Sequence, residues 1–480
     1  MNKASLRVRF APAPTGLMHL GNVRTALMNY LFARQKGGTF VLRIEDTDQQ
    51  RNYDPQGKQI IQDLAWLGIT HDEGPDVGGP YWPYIQSERE NIYQEKLREL
   101  QAQHDAYRCF CTVEELEKKR QRQMDLKLPP RYDRTCANLS ASVIEDKLAN
   151  GIPFIWRMKL DQNAQVTITD LAHGSIAFDY KNFSDFPLTR QDGTVTFIFA
   201  NFVDDMLMKM NLIIRGEDHL TNTACQAALF QAFKTPLPTY WHLPILFNIH
   251  GKKLSKRDFG FSLQDLRDGG FVPEALCNYL AIIGGGTFEH EIMSREELIA
   301  ALNFDAIHST GQIRYDVEKL TWLNHKWINR LEPATLTAYC LPFLEKAYPA
   351  VTTMDITIVT KLIQLIKTDL TTLTEVTNAL HFYFNVPALT KHDIANHMTP
   401  NVVEDITALV LEHRPLLHTN ADTFLTNLKT AAKEKKIALK DLYTFLRLML
   451  MEEVEGPSIA DLIVMLGIQE VDARINKVLR

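Results

Sequence analysis

Two short segments, far apart in the chain, carry residue types suited to binding phosphate groups. The first, FAPAPTGLMHLGN at residues 10–22, places His19 and Gly21 where an apolar strand gives way to an amphipathic helix. A helix N-terminus offers free backbone N–H groups and partial positive charge, and a histidine beside it can donate to a phosphate oxygen. The second, KKLSKR at residues 252–257, follows an apolar strand and has lysines three residues apart, which can wrap a triphosphate.

Each segment alone also has a plainer interpretation. A lone histidine before a helix usually caps it or packs against it, and surface lysines usually form a solvated face. The chain has no G-x-x-x-x-G-K-[ST] motif, which excludes a P-loop, and the glycines at 284–286 lack the spacing of a dinucleotide fingerprint. Only the occurrence of both segments in one chain favours the nucleotide site.

The composition is that of a globular protein with several domains. Of the 480 residues, 45% are hydrophobic and 23% are charged, and the formal net charge is −6. A chain of this length is expected to form about two to four domains. The chain lacks an apolar run of the ~18 residues that a membrane helix needs, and its start lacks a signal peptide's apolar segment. We therefore expect a cytoplasmic location and no membrane partner.

Cysteine usage and local charge say less about the function of the chain. Six cysteines in a chain of this length do not form a disulfide framework. Two stretches, 118–134 and 429–440, are locally basic. Such stretches are usually solvated helix faces, and the alternative is a contact with nucleic acid.

The elements around the first segment predict a parallel α/β sheet. Leu6, Val8 and Phe10 alternate with polar or basic residues, as in a half-buried strand. Apolar spacing then predicts a helix that is capped by Asn22 and ends at Gly37–Gly38. TFVLRI forms a second strand that runs into the acidic cluster EDTD. Sheets of this kind bind ligands at the carboxyl ends of their strands.

Further along the chain the pattern changes twice. Thr112 and Glu115 form a capping box that opens a charged helix, and the short mixed segments up to residue 190 predict an insertion. A second α/β stretch follows, with the strand-like LIIR and LPILFNI. From about residue 325 onward helical spacing recurs and strand signals vanish, which predicts an all-α unit.

The chain resembles the bacterial glutamyl-tRNA synthetases, which belong to class I of the aminoacyl-tRNA synthetases, over its whole length. The paired HLG and KLSK segments carry the class I signature, and further segments follow in the family's order, among them RFAPAPTG, RIEDTD, VDDMLM, IIRGEDHL and KLTWLNHKWI. The resemblance implies an α/β fold class: a Rossmann-type parallel-sheet catalytic domain with an α+β insertion, followed by an all-α C-terminal anticodon-binding domain.

The implied domain boundaries fit the changes in sequence pattern. The catalytic domain occupies 1–111 and 191–250, and an acceptor-stem-binding insertion at 112–190 separates its halves. A stem-contact region with the KLSKR loop covers 251–324, and the anticodon-binding domain covers 325–480.

The resemblance implies ATP-dependent ligation of L-glutamate to tRNA(Glu) through a glutamyl-adenylate, with Mg²⁺ on the phosphates and release of AMP and pyrophosphate. Catalysis is assigned to His19, Lys253 and Lys256. ATP binding is assigned to Pro14, Gly16, His19, Gly21, Asn22, Lys253, Ser255 and Lys256. A monomer is expected.

The resemblance assigns the glutamate pocket to Arg9, Ala11, Ala13, Glu45, Phe197, Asn201 and Arg215. The planar forks of the two arginines suit the side-chain carboxylate of glutamate. Glu45 corresponds to the residue that holds the α-ammonium, and Asn201 to one near the α-carboxylate. Phe197 stands where the family usually has tyrosine and Ala13 where many relatives have serine, so two polar groups of the family pocket are missing.

The predicted insertion resembles the zinc-binding insertion of some relatives in its three cysteines, Cys109, Cys111 and Cys136. The fourth ligand position of those relatives is occupied here by Asn138, whose amide oxygen is a poor zinc ligand. The sequence leaves two alternatives: the site has decayed, or it is completed by Asp133 or His104.

The choice of tRNA is addressed by one position in the helical third. Relatives that discriminate between tRNAs tend to place an arginine around residues 367–373, where it reads the last anticodon base. Our alignment puts Asp369 there. This predicts relaxed tRNA choice that includes tRNA(Gln).

Four other kinds of protein were weighed against this resemblance. Glutaminyl-tRNA synthetases have a β-rich anticodon domain, whereas residues 325–480 have helical spacing. A truncated glutamyl-queuosine tRNA modifier lacks the last third, and a phosphopantetheine-type nucleotidyltransferase is far shorter. A non-catalytic paralogue that only binds tRNA is disfavoured because His19 and the lysine loop are both present.

Overall fold

The structure, a computed structural model, describes residues 5–255, 257–283, 288, 290–303 and 312–479. The chain separates into two compact units. The first, here called the catalytic unit because the resemblance predicts catalysis there, runs to Leu266 and includes Leu276–Val317. The second, the helical unit, consists of Arg267–Ala275 and the residues from Glu318 onward. Among the described residues, no helix combines the length and the apolar character needed to cross a membrane.

The catalytic unit contains parallel strands connected by helices. Its strands are β1 (Arg7–Phe10), β2 (Thr39–Leu42), β3 (Ala106–Cys109), β4 (Ile155–Met158), β5 (Gln165–Asp170), β6 (Gly174–Asp179), β7 (Leu212–Gly216), β8 (Thr239–Leu243), β9 (Leu246–Phe247) and β10 (Ile313–Arg314). Its helices are α1 (Leu20–Lys36), α2 (Lys58–Trp66), α3 (Glu90–Ala102), α4 (Val113–Asp125), α5 (Ala141–Ala149), α6 (Phe197–Leu207), α7 (Leu220–Ala232), α8 (Leu263–Asp268), α9 (Pro273–Ile283) and α10 (Arg295–Ala301); α8 and α9 continue into the helical unit.

The sheet topology confirms the predicted parallel α/β arrangement. Strands β1 and β2 pair in parallel, with α1 connecting them. A second sheet has the order β6-β5-β8-β7, in which β7 and β8 are parallel. Strand β7 lies beside β1, because the Asn211 backbone N–H donates to the Arg7 carbonyl (3.3 Å) and the Arg9 guanidinium donates to the Ile214 carbonyl (3.4 Å). The carboxyl ends of β1 and β7 therefore meet.

The start of α1 differs from its prediction by three residues. The N-cap is His19 and not Asn22: His19 has extended backbone angles, and its Nδ1 accepts the backbone N–H of Asn22. The end of the helix is as predicted, since Gly37 has φ +61° and closes the last turn. An amphipathic helix is expected to bury one face, yet most of α1 from Leu20 to Ala33 is buried.

The region predicted as an insertion combines strands and helices. Strand β4 pairs antiparallel with β3, which lies before the predicted boundary at residue 112, and β5 and β6 form an antiparallel hairpin. The predicted capping box is confirmed, because the Thr112 hydroxyl and the Glu115 carboxylate each accept the other residue's backbone N–H. Strand β5 joins the sheet of the catalytic unit through the pair Asp170 and Tyr240.

The helical unit confirms the predicted all-α character of the last third. Its helices are α11 (Val317–Arg330, whose first residue belongs to the catalytic unit), α12 (Pro333–Ala347), α13 (Ile356–Ile366), α14 (Val376–Ala379), α15 (His381–Phe384), α16 (Lys391–Ile394), α17 (Pro400–Leu417), α18 (Ala421–Glu434), α19 (Leu439–Met451), α20 (Ile459–Leu466) and α21 (Ile468–Leu479). Helix α19 supplies the core residues Leu442, Phe445 and Met449. Asp369 lies in a 3-10 turn after α13.

A buried ion cluster joins the elements of the catalytic unit. Its members are Arg9, Arg43, Glu45, Arg89, Asp204 and Asp205, and all are at most 4% exposed. The Arg43 guanidinium lies 2.7 Å from Glu45 Oε1, 2.8 Å from Asp205 Oδ1 and 3.6 Å from Asp204 Oδ2. Burial alone would lower the pKa of Arg43, but its three carboxylate neighbours raise it overall.

Two further arginines complete the charge balance of this cluster. Arg9 Nε lies 3.0 Å from Asp205 Oδ1, and Arg89 Nε lies 2.7 Å from Asp204 Oδ1. Burial opposes ionisation of Asp205, yet Arg9 and Arg43 lower its pKa. Three guanidinium groups thus face three carboxyl groups, which connects β1, β2 and α6.

We expect Arg43→Met to lower the free energy of unfolding of the catalytic unit by about 3–5 kcal/mol, because three buried carboxyl groups would then face only the guanidinium groups of Arg9 and Arg89. Denaturant unfolding followed by circular dichroism measures this change. Arg51→Met is the matched control: the Arg51 guanidinium contacts Asp48 at 2.6 Å but is 74% exposed, so no measurable loss is expected. Equal stability of the two variants would contradict the stabilising role of the cluster.

Candidate active site

A cavity of about 940 Å³ opens at the carboxyl ends of β1 and β7, beside the N-terminus of α1. It brings together most of the residues predicted from the sequence: Arg9, Ala11, Ala13, Gly16, His19, Gly21, Asn22, Glu45, Phe197, Asn201, Arg215, Lys253 and Ser255. Pro14 is not in the cavity wall, and its carbonyl instead accepts the backbone N–H groups of Tyr53 and Asp54. Lys256 lies outside the described residues.

His19 lies at the junction of the two phosphate-type segments. The Leu20 backbone N–H donates to the Phe261 carbonyl (3.0 Å), and the Leu263 N–H donates to the Met18 carbonyl (2.8 Å). The His19 ring also lies 5.4 Å from that of Phe261. These contacts hold the segment after the lysine loop against the N-terminus of α1, so the first segment and Lys253 face one cavity.

The contacts of His19 define which ring nitrogen carries the proton. Nδ1 accepts the Asn22 N–H at 3.3 Å, so a neutral ring has its proton on Nε2. Burial lowers the pKa of His19, Asp218 opposes that shift and Lys253 adds to it. His19 caps α1 through Nδ1 and, at neutral pH, is a neutral ring with its N–H on Nε2. The role of helix cap and the predicted role of phosphate donor are therefore compatible.

The described part of the lysine loop is held by an aspartate. Ser255 donates to Asp258 through both its backbone N–H (2.8 Å) and its hydroxyl (2.9 Å), and Asn248 donates to the other oxygen of Asp258 (3.0 Å). The Lys253 ammonium is exposed and lies 3.7 Å from Asp218. Because this ammonium is exposed and its contact with Asp218 is long, it can bind an anion in the cavity without breaking a strong ion pair.

Arg215 is a buried cation with unused hydrogen-bond donors. It is 6% exposed, and its Nη2 donates to Thr223 Oγ1 and Gln226 Oε1, both at 2.7 Å. Its Nε and Nη1 have no hydrogen-bond partner among the described residues. Burial, and to a smaller extent Arg9, lower the pKa of Arg215 to about 10, so it stays cationic at neutral pH. Such a group can bind an anion with two parallel hydrogen bonds.

A line of buried hydrogen bonds holds Arg215 in place. Asp170 Oδ2 accepts from His242 Nδ1 (2.7 Å), and His242 Nε2 lies 2.8 Å from the Thr223 hydroxyl. Because Nδ1–H donates to Asp170, Nε2 accepts from Thr223, whose oxygen then accepts from Arg215. Hydrogen bonds to His242 and His173 overcome the effect of burial and lower the pKa of Asp170 to about 2.

Glu45 and Asn201 connect this side of the cavity to the ion cluster. Asn201 Nδ2 donates to Glu45 Oε1 (2.5 Å), and Asn201 Oδ1 accepts from Gln226 (2.6 Å). Burial raises the pKa of Glu45, while Arg43 and Arg9 oppose that shift. The Glu45 carboxyl group thus lines the cavity as a hydrogen-bond acceptor, and its contact with the Arg43 guanidinium holds it in position.

The sequence analysis missed several cavity residues, among them Arg24 and His219. Arg24 of α1 is fully buried, and its Nη1 donates to the Pro244 carbonyl at 2.8 Å, while Nε and Nη2 have no partner among the described residues. Burial lowers the pKa of Arg24 to about 10. The sequence signal for Arg24 is its charge at a position directly after the apolar Val23. Another missed residue, His219, follows β7, and its only signal was its closeness to Arg215.

The three cysteines of the predicted zinc site lie together. Their sulfur atoms are within 4.8 Å of one another, and Cys111 Sγ lies 3.7 Å from Cys136 Sγ. The structure places neither Asp133 nor His104 in this cluster, and Asp133 pairs with Lys119 at 2.9 Å.

Tyr132 occupies the position that Asp133 and His104 do not. Its hydroxyl lies 3.3 Å from Cys109 Sγ and 4.0 Å from Cys111 Sγ, and it accepts the Cys136 backbone N–H. Three thiols and a phenol oxygen around one point fit the four ligands of a tetrahedral zinc ion. The residue types present therefore fit this metal.

Comparisons with known proteins identify the family to which the chain is similar. Residues 5–322 match the family of class I tRNA synthetases (E and Q), catalytic domain, and residues 335–479 match an anticodon binding domain family. A glutamate–tRNA ligase of Desulforudis audaxviator is 36% identical, over 98% of this chain and 96% of the relative. One of Moorella thermoacetica is 34% identical, over 100% of this chain and 99% of the relative.

Solved structures give the same result. The crystal structure of a glutamate–tRNA ligase from Elizabethkingia meningosepticum in complex with its amino acid has a TM-score of 0.87 and 31% sequence identity, and the match covers 99% of both chains. The glutamate–tRNA synthetase of Elizabethkingia anophelis has a TM-score of 0.85 at 31% identity, over 98% of this chain and 99% of that one. The chain therefore belongs to the class I tRNA synthetases of the glutamate and glutamine group and, within that group, to the glutamate–tRNA ligases.

Proposed function

We propose that this protein activates L-glutamate with ATP and transfers the glutamyl group to tRNA(Glu). The observation that carries the proposal is Arg215, a buried guanidinium that lines the same cavity as His19 at the start of α1 and has two donor nitrogens without a partner in the described part of the chain. One part of the cavity is thereby suited to a carboxylate and another to phosphate groups. Family membership supports the assignment of these two parts to glutamate and ATP.

The phosphate part of the proposed site is formed by the start of α1 and the lysine loop. His19 donates from Nε2 to a phosphate oxygen, and Lys253 adds positive charge. Gly16, Gly21, Asn22 and Ser255 provide the remaining wall. Lys256 and Pro14 stay in the proposal on their sequence positions alone. Mg²⁺ bound to the phosphates would further neutralise their charge.

The glutamate part of the proposed site has charges of both signs. Arg9 and Arg215 bind the side-chain carboxylate, Glu45 accepts from the α-ammonium, and Asn201 lies beside the α-carboxylate. Ala11, Ala13 and Phe197 form the apolar wall. The arginines are held by Asp205, Thr223 and Gln226 before the substrate arrives, so little ordering remains to be done on binding.

The proposed reaction needs no protein nucleophile. The ionised α-carboxylate of glutamate attacks the α-phosphorus of ATP, and the bond to the β-phosphate breaks to release pyrophosphate. The terminal tRNA hydroxyl then attacks the glutamyl carbonyl, its proton is lost and AMP leaves. Catalysis rests on alignment and on stabilising the charge of the phosphate oxygens, which falls to His19 and the lysines.

The proposed partners follow from the two-unit architecture. The insertion would bind the acceptor end of tRNA, and the helical unit, which matches an anticodon-binding family, would bind the anticodon. Asp369 in place of an arginine supports the use of tRNA(Gln) in addition to tRNA(Glu). We further propose a monomer in the cytoplasm, where both tRNAs occur.

Glutamate-dependent ATP–pyrophosphate exchange in the presence of tRNA(Glu) tests the proposed activation. We expect exchange with glutamate, and we expect His19→Ala to lower kcat by about 10²–10³-fold because a donor to the reacting phosphate is removed. His397→Ala, a change at an exposed histidine of the helical unit, is the control and should retain full activity. A His19→Ala variant as active as the control would contradict the role of His19.

Charging assays with the two purified tRNAs test the proposed partners. We expect glutamate to be attached to both tRNA(Glu) and tRNA(Gln), and Asp369→Arg to reduce charging of tRNA(Gln) more than that of tRNA(Glu). Strict use of tRNA(Glu) by the unchanged protein would reject the relaxed choice and leave the proposed activation intact.

We also propose a structural zinc ion held by Cys109, Cys111, Cys136 and the Tyr132 oxygen. Metal analysis of the purified protein should give about one zinc per chain, and Tyr132→Phe should reduce that ratio because one ligand is lost. Asp133→Asn, at the adjacent residue, should keep the ratio. A ratio near zero in the unchanged protein would reject the site.

A further inference from the structure

His219 lies at the carboxylate-binding part of the cavity and has no role in the function proposed above. It follows β7, four residues after Arg215, and its ring is part of the cavity wall. The ring lies against Phe197, with 5.7 Å between the ring centroids and an interplanar angle of 45°. Phe197 offers only an apolar face here, so His219 is the polar member of the pair.

The contacts of His219 determine its tautomer. Asn222 Nδ2 lies 3.1 Å from His219 Nδ1, and since an amide NH₂ can only donate, Nδ1 accepts and carries no proton. The proton of a neutral ring is then on Nε2, which has no hydrogen-bond partner among the described residues. His219 is thus a fixed donor with its N–H unused.

The charges around His219 keep the ring neutral. Burial is the main cause that lowers the pKa of His219, and Arg215 and Arg9 lower it further; Asp218 opposes them, and the resulting pKa is about 4. The Thr223 hydroxyl that accepts from Arg215 (2.7 Å) also lies 3.2 Å from the His219 carbonyl, and Arg9, Arg215 and His219 line the same cavity. His219 therefore lies beside the two groups proposed to bind the side-chain carboxylate. At neutral pH the three residues offer only N–H donors.

We propose that His219 donates its Nε2–H to the side-chain carboxylate of glutamate and thereby helps the pocket to select glutamate over glutamine. The inference rests on the proposed function, because it needs glutamate in this cavity. A carboxylate has two acceptor oxygens for the donors of Arg9, Arg215 and His219. The carboxamide of glutamine has only one acceptor oxygen, so its NH₂ group would face one of these protein donors. Neither of the two facing donors would then have an acceptor, and this cost disfavours the binding of glutamine.

The matched variant is His219→Phe, which keeps an aromatic ring against Phe197 but removes the N–H. In glutamate-dependent ATP–pyrophosphate exchange with tRNA(Glu), we expect KM for glutamate to rise about 10–100-fold, the range for a lost hydrogen bond to a charged group. The KM for ATP should stay unchanged. The ratio of kcat/KM for glutamine to that for glutamate should rise.

Two further variants separate hydrogen bonding from packing. His219→Gln retains an N–H donor and should lose less affinity for glutamate than His219→Phe. The double variant Phe197→Tyr/His219→Phe places a hydroxyl donor on the neighbouring ring, and we expect it to recover most of the lost glutamate affinity. Thermal unfolding of each variant shows whether the fold is intact.

The outcomes of this experiment separate the inference from the proposed function. If the unchanged protein shows no glutamate-dependent exchange, the proposed function fails. If it is active and His219→Phe has an unchanged KM for glutamate, only the inference about His219 fails. Equal increases in the KM values for glutamate and ATP also overturn the inference, because they indicate a packing role. The same holds if His219→Gln binds glutamate no more tightly than His219→Phe.

Discussion

The site geometry depends on the pairing of Arg43 with three buried carboxyl groups. Arg43 comes directly after β2, and it contacts Glu45 on its own segment and both aspartates of α6. One of those aspartates also holds Arg9 of β1. A buried charge without a partner is strongly unfavourable, so an arrangement of these elements that left one of the charges unpaired would be disfavoured. Cavity residues are therefore positioned by charge pairing as well as by apolar packing.

Arg43 and Arg215 illustrate two uses of a buried guanidinium. Arg43 is saturated by carboxylates, and its pKa is raised. Arg215 is bonded to the neutral side chains of Thr223 and Gln226, and its pKa is lowered. The first arrangement stabilises the fold. The second keeps a cation ready for an anionic ligand, since the cost of burying the charge is relieved when that ligand binds.

The sequence predicted elements better than it predicted contacts. The parallel strands, the Gly37 helix end, the capping box at Thr112 and the helical last third depend on local patterns, and all were found. The N-cap of α1 was misplaced because both His19 and Asn22 can accept a backbone N–H, and spacing alone does not choose between them. Local chemistry sufficed where the interaction spans only a few residues.

The missed parts of the site depend on contacts between distant segments. Arg24 donates to the carbonyl of the distant Pro244, and burial, with Arg215 and Arg9 adding to it, lowers the pKa of His219. Tyr132 was overlooked because zinc ligands were sought among aspartate and histidine, whereas the fold directs the phenol toward the cysteines. Neither burial nor the partner of such a side chain is visible in the local sequence pattern.

Asp170 gives the insertion a role in the geometry of the pocket. This residue ends β5, inside the segment 112–190 that the sequence predicts as an insertion, and it accepts both the backbone N–H and Nδ1–H of His242. Through Thr223 that contact reaches the pocket arginine. A shortened enzyme that lacks the whole segment would thus lose the hydrogen bonds from Asp170 that help to position Arg215. Any truncation or module exchange must retain the β5–β6 hairpin with the catalytic half.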